Sequence, residues 1–209
     1  MTVYVIYADA SDGDIRSIAA GDYAAARAGT GTLSAGDTSA TMLVGQDNYY
    51  QVWEIFLSFD TSVVVGMIST AVLAAWVSAD ISSTDFTINA RSFDWGASLT
   101  SADWIAGASL SGNTLRATRA TSGIGTGAYT NFTSQAGFPA AINQAGSTRL
   151  VLSSSRHEGN NTPSGNELVQ FRSADQTGTS EDPKLTVTTL DPASVLRPSI
   201  RNVLHNLIR

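Results

Sequence analysis

The feature that most constrains this chain is its punctuation. Eleven short runs of alternating or continuous apolar residues are separated by clusters of Gly, Ser, Thr, Asn and Asp. They are Thr2–Ala8, Asp14–Ala19, Thr41–Gly45, Tyr49–Phe59, Ile68–Ser78, Asp85–Phe93, Thr114–Thr118, Ala128–Phe132, Thr148–Ser154, Glu167–Arg172 and Lys184–Thr189. Many brief strands joined by turn-forming residues predict an all-β, antiparallel sandwich of two packed sheets. Helix is scarce: Asp22–Ala28 is Ala-rich, and Phe138–Gln144 follows a Gly and carries Pro139 near its start.

Two of the runs stand out as core-forming. In Tyr49–Phe59 a period of two puts Trp53, Ile55, Leu57 and Phe59 on one face and Tyr50, Val52 and Phe56 around Glu54 on the other. A strand apolar on both faces is expected at the centre of a sheet and covered on both sides. Ile68–Ser78 repeats the pattern, with Val72, Ala74 and Trp76 opposite Leu73, Ala75 and Val77.

Composition removes several function classes. With no cysteine there is no disulfide scaffold or thiolate zinc site, and the two histidines, His157 and His205, argue against a multi-histidine metal centre. A net charge of −6 disfavours nucleic acid as a partner. Only 14% of the residues are charged, against a usual ~25%, while Ser and Thr number 26 and 23. The surface is therefore expected to be neutral and hydroxylated, which suits extracellular adhesins and virus particles. The most apolar stretch, Val63–Val77, is broken by Gly66, Ser69 and Thr70 and falls short of the ~20 residues of a membrane span, so no membrane association is expected. Thr2 to Tyr7 follow Met1 without a basic region, unlike a secretory signal peptide.

The composition changes after Thr189, which divides the chain into a sandwich domain, 1–189, and a tail, 190–209. Residues 1–189 hold 9 basic and 17 acidic residues, a net −8; the tail holds 3 Arg and 1 Asp, a net +2. In the tail Leu196, Ile200, Val203 and Leu207 form a helical apolar stripe widened by Leu204 and Ile208. Arg197, Arg201, His205 and Arg209 make a basic row beside it. An isolated helix this short is marginal in water, so the tail needs a surface, either its own domain or a partner chain. Its place beyond the last strand favours a docking or oligomerisation role, and the stripe is compatible with a trimer.

The run Tyr49 to Ser62, ending in Phe59-Asp60-Thr61-Ser62, followed by Ile68-Ser69-Thr70-Ala71-Val72-Leu73, resembles the signature of the DNRLRE domains, which are related to family 96 carbohydrate-binding modules. The closing half is similar too: Thr148 to Arg156, then Val169-Gln170-Phe171-Arg172-Ser173, then Asp182-Pro183-Lys184-Leu185-Thr186-Val187. The resemblance covers about residues 10–189 and omits the tail. It implies a jelly-roll sandwich of the kind found in secreted bacterial proteins, in accessory modules of polysaccharide-degrading enzymes and in tailed-phage particle proteins, and it supplies no catalytic residue. Glu54 departs from it, since many relatives look basic there.

No constellation points to enzymatic chemistry or a bound cofactor. His157 lies in Arg156-His157-Glu158-Gly159-Asn160-Asn161, a loop composition with no nucleophile elbow, and a structural or surface role is expected for it and for His205. Gly123-Ile124-Gly125-Thr126-Gly127 reads as a turn between strands rather than a phosphate cradle. Asp9, Asp12 and Asp14 form a polar turn or a structural calcium site, although their spacing is not that of an EF-hand loop. Trp95 and Trp104, in a long connection, are candidates either for core packing or for glycan contact. The expectation is a virion structural protein of a tailed bacteriophage (a capsid decoration, head-fibre or tail-associated protein) whose partners are other virion proteins and copies of itself. The alternative is a carbohydrate-binding module of an extracellular or surface protein, recognising a host-surface glycan.

Overall fold

A computed structural model describes residues 1–191; the expected docking residues from Leu196 to Arg209 lie outside the described residues. The protein is all-β. Thirteen strands are described: β1 Thr2–Tyr7, β2 Gly13–Ile18, β3 Thr32–Gly36, β4 Thr41–Gln46, β5 Gln51–Asp60, β6 Ile68–Asp80, β7 Thr87–Ser92, β8 Leu115–Ala120, β9 Ala128–Asn131, β10 Thr133–Ser134, β11 Ser147–Ser154, β12 Glu167–Arg172 and β13 Lys184–Thr189. The helices are α1, Tyr23–Ala28, and α2, Ser155–Glu158, with three single 3-10 turns at Ser101–Asp103, Leu110–Gly112 and Pro139–Ala141. The region expected as a helix at Phe138–Gln144 is the last of these turns. β3 was not foreseen, because Leu33 and Ala35 are its only apolar residues and Gly31 and Gly36 bracket it like a loop.

Every strand pairing is antiparallel, and hydrogen bonding runs through β1-β13-β6-β12-β4-β5-β11-β7-β8-β10. The two longest strands let one sheet curl on itself. Ala74 of β6 pairs with Lys184 and Asn131, and Val77 pairs with Phe171 and Ala128. A strand has two edges, so β9 takes one while β13 and β12 share the other in succession. β5 does the same, with β2 along one edge and β11 followed by β4 along the other. The curled sheet is sandwich-like: inward side chains of β1, β4 to β8 and β11 to β13 meet in one core that includes Leu57, Phe59, Leu73, Leu150, Phe171 and Val187.

β5 is covered on both faces, as its pattern predicts. Ile55, Leu57 and Phe59 enter the main core. On the other face Phe56 packs with Ile15, Val151, Trp95, Leu99, Ile105 and Leu110, and Val52 packs with Tyr23 and Ala26 of α1. The segment 93–113 and α1 thus roof this side of the sheet. The roof is fixed locally: Asp22 Oδ1 caps α1 by accepting from Ala25 N–H at 3.0 Å, and Gly29 ends it in the left-handed region, φ 72°. A Cβ on Gly29 would strike Trp104 at 2.2 Å, so glycine also lets the roof close onto the helix.

The matching expectation for β6 is corrected. Leu73, Ala75 and Val77 are core residues, and Ala74 is also buried, but Val72 and Trp76 on the outer face are only half-buried. No roof crosses this side among the described residues. Trp76 is covered sideways by Tyr129, edge to face at 5.3 Å, and Lys184 Nζ lies 3.6 Å over the Tyr129 ring.

Gly45 lies where β4 bridges β12 to β5, pairing with both Leu168 and Trp53. Its φ is +124°, and an added Cβ would meet the Glu167 carbonyl oxygen at 1.9 Å. Backbone on that side is not able to yield without breaking the ladder. Gly45→Ala is expected to cost about 2–4 kcal/mol in a urea titration, whereas an unstrained glycine-to-alanine change is slightly stabilising.

Candidate interaction surface

Nine large apolar side chains are exposed among the described residues, and seven belong to one region: Met1, Val3, Val5, Tyr7, Val63, Val65 and Met67. Their order follows from the pleat of β1. Ile6 points into the core, so Val3, Val5 and Tyr7 point out, Val5 at 51% exposure. The loop after β5 joins them: Tyr4 Oη accepts from Val65 N–H at 3.4 Å, Gly66 lies against Thr189, and Leu190 N–H donates to the Met67 carbonyl at 2.8 Å. Val64 anchors that loop in the core and leaves Val65, at 71% exposure, and Met67 outside.

β1 also offers hydrogen bonds. Ala8 N–H donates to the Pro183 carbonyl at 2.8 Å, which fixes the phase of the ladder. Alternation then turns the backbone groups of Ile6 and Tyr4 toward β13 and those of Val3, Val5 and Tyr7 away from it. Among the described residues no strand pairs with Val3 to Tyr7 on that edge; β5 closes on it only past β1, where Asp9 N–H donates to the Ser58 carbonyl at 3.0 Å. It carries no Lys, Pro or acidic side chain of the kind that normally discourages edge-to-edge pairing. A groove of about 400 Å³ lined by Met67, Ile68, Ala136, Pro139, Ala140 and Ile142 continues the apolar region past β6.

A second surface feature is polar. A cleft of about 250 Å³ is lined by Ser92, Phe93, Asp94, Asn113, Ala141, Asn143, Ser147, Thr148 and Arg149. Arg149 Nη1 donates to Asp94 Oδ1 at 2.5 Å, with its guanidinium 5.6 Å over the Trp95 ring. The Gly96 N–H, and then Arg149, hold the Asp94 carboxyl below the usual carboxylate range.

Beneath the roof lies a polar layer whose centre, Glu54 and His157, is closed to solvent. Glu54, on the outer face of β5, accepts from Ile105 N–H at 3.2 Å through Oε2, while its Oε1 lies 3.6 Å from His157 Nδ1. His157 sits in α2 with its ring against Trp104 and Gly107, and its Nε2 lies 3.3 Å from the Arg27 carbonyl. Burial raises the Glu54 carboxyl well above its ordinary range and pushes the His157 imidazole down to about 4, so their contact favours two neutral groups. Next to them Arg91 holds Glu158 with two bonds, 3.0 and 2.7 Å, and Ser153 Oγ donates to it at 2.7 Å. Burial pushes Glu158 up, but the bonds from Arg91, Ser153 and Asn89 outweigh this and hold it low. Arg27 clamps α2 through the carbonyls of His157 and Glu158 at 2.7 and 2.8 Å. The layer fastens the roof to the sheet.

The structure separates the residues singled out in the sequence. Trp95 is 6% exposed and packs edge to face on Phe56 at 5.4 Å, leaving no ring face for a sugar; Trp104 is half-buried between α1 and His157. Asp9, Asp12 and Asp14 diverge: Asp9 accepts from Ser11 and Ser58, Asp12 from Ala174 N–H, and Asp14 from Leu43 N–H. His157 is a core residue rather than part of a loop, and α2 was missed because four residues are too few to show a helical period. The apolar edge was missed because outward-facing and inward-facing valines look alike in a short strand; the absence of a charge on the outer face of β1 was the available signal.

The chain matches no protein-family model, and no characterised protein matches it significantly.

Because His157 titrates near 4 in the fold and near its ordinary 6.5 when unfolded, its contribution is fully present above pH 6.5 and is lost as pH falls toward 4. The difference is worth about 3 kcal/mol. Urea midpoints of wild type and His157→Gln, compared at pH 7.5 and pH 4, are expected to show a markedly steeper acid loss in wild type.

Proposed function

We propose that this protein is a non-enzymatic structural component of a tailed-bacteriophage particle, a decoration, head-fibre or tail-associated protein, that assembles with copies of itself through its β1 end. The observation that carries the reading is the coincidence of three features in one place. The outer edge of β1, seven exposed apolar side chains on β1 and the neighbouring 63–67 loop, and the start of the basic amphipathic stretch 190–209, which follows Thr189 opposite Thr2, adjoin one another. Edge pairing would supply main-chain hydrogen bonds between copies, and burial of Val3, Val5, Val65 and Met67 would supply the hydrophobic gain. The row of Arg197, Arg201, His205 and Arg209 would meet the acidic sandwich of a neighbouring copy, net −8 over residues 1–189. The likeness of residues 10–189 to DNRLRE domains, which occur in such particles, and the hydroxyl-rich, charge-poor composition support the same reading.

A second reading, carbohydrate binding, is favoured by the polar cleft, where Asp94, Asn113, Asn143 and Arg149 offer both donors and acceptors to sugar hydroxyls. Its test is Arg149→Ala on a glycan array, with loss of retention expected at an unchanged melting temperature.

For assembly the deciding comparison is sedimentation velocity. The full chain is expected to self-associate with rising concentration, whereas a chain ending at Asp191 and the double variant Val5→Asp, Val65→Asp stay monomeric with near-wild-type thermal midpoints. A full chain that remains monomeric throughout, or a double variant that assembles normally, overturns the proposal.

A further inference from the structure

Two buried carboxylate oxygens lie in the most acidic part of the molecule without a hydrogen-bond partner. Asp12, in the turn between β1 and β2, is wholly buried; its Oδ2 accepts from Ala174 N–H at 3.0 Å, and its Oδ1 meets no donor. Asp182, just before Pro183 and β13, is 3% exposed, and its Oδ1 is equally without a donor. The bond to Ala174 sets the Asp12 carboxylate against the loop between β12 and β13, which carries Asp175 and Asp182.

The electrostatics of this corner are one-sided. The charges acting on Asp12 are those of Asp175, Asp9 and Asp182, and Asp37 acts in turn on Asp175. Nearby cations are engaged elsewhere: Lys184 lies over the Tyr129 ring, and Arg172 Nε pairs with Glu181 at 2.9 Å. Asp9 is already satisfied by Ser11 and Ser58, so it contributes charge rather than a free oxygen. Burying a carboxylate among like charges, with an oxygen left unbonded, is among the costliest arrangements a fold can hold. A cation removes that cost.

We infer that Asp12 and Asp182 are ligands of one Ca²⁺ that ties the β1–β2 turn to the loop before β13. Among the described residues no three carboxylate or imidazole side chains converge as a ready cage. The coordination is therefore two carboxylates completed by main-chain and water oxygens. Ca²⁺ accepts that mixture, with its six to eight oxygens and tolerant geometry, whereas Mg²⁺ demands a stricter octahedron. This site differs from the Asp9, Asp12, Asp14 set expected from the sequence: Asp14 faces Leu43 N–H at 2.7 Å, and its place is taken by an aspartate 170 positions after Asp12. The inference stands apart from the assembly reading and survives its failure.

The test uses the full chain, stripped with chelator and then titrated with CaCl₂ or MgCl₂, followed by calorimetry and thermal unfolding. Expected are one Ca²⁺ per chain, a rise in melting temperature of about 5–10 °C at ~100-fold excess over Kd, and a much smaller rise with Mg²⁺. Asp12→Asn and Asp182→Asn abolish the Ca²⁺ shift, and Asp14→Asn retains it. Asn at position 12 still accepts from Ala174 N–H, so the metal-free Asp12→Asn protein is expected to melt above metal-free wild type. Should either asparagine variant not fold, the exposed Asp175→Asn provides the test through a several-fold weaker Ca²⁺ affinity. No Ca²⁺ shift, a shift of equal size in the Asp12 and Asp182 variants (an adventitious ion only), or an unchanged affinity in Asp175→Asn overturns the inference.

Discussion

Burial of both faces of β5 organises the fold. One face supplies Ile55, Leu57 and Phe59 to the main core. The other presents Val52, Glu54 and Phe56 and would be ruinous if left to water, or if Glu54 were covered without a partner. Each of the three has its own cover: α1 over Val52, the Ile105 N–H and His157 over Glu54, and Trp95 with Leu99 and Leu110 over Phe56. The roof of loops between 93 and 113 is thus the other half of the environment β5 requires. The Arg27, Arg91, Glu158 and His157 bonds lock it in place.

This arrangement makes the molecule asymmetric. The β5 side is sealed by a helix, a long connection and a hydrogen-bonded polar layer, while the side carrying β1, β13 and β6 is left open. On that open side the exposed apolar residues gather at β1 and the Val63–Met67 loop. A charge-poor protein could have scattered these residues singly, which would need no explanation. Their concentration beside a free strand edge is what gives the surface a directional role.

Much of the fold was legible because it rests on period-two patterns that burial enforces. β12 and β13 fall within their sequence boundaries to the residue, and the double-sided β5 is visible from Trp53 to Phe59. The failures have physical causes. β6 carries the same pattern as β5 but only one cover, because a pattern shows which side chains tolerate burial and not whether a roof will arrive. For Trp95 and Trp104 the sequence left core packing and glycan contact open, and the structure gives core packing, because the long connection that carries them is the roof. His157 looked like a loop residue because the partners that bury it, Glu54, Trp104 and Gly107, are 103, 53 and 50 positions away. The acidic corner was half legible: Asp12 stood out, but Asp182 is brought toward it by tertiary contacts, the pairing of β1 with β13 and the bond from Ala174 to Asp12. Beyond Asp191 the amphipathic character rests on the sequence spacing of Leu196, Ile200, Val203 and Leu207.

Whether copies meet on the outer edge of β1 is read out by amide hydrogen exchange. The N–H groups of Val3, Val5 and Tyr7 point away from β13 and are expected to exchange rapidly in dilute protein, while those of β5 remain protected. At concentrations where the full chain self-associates, exchange at these three positions is predicted to slow by an order of magnitude or more. Unchanged exchange at Val3, Val5 and Tyr7 in the associated protein, with new protection at the Asp94–Arg149 cleft instead, would contradict assembly on that edge.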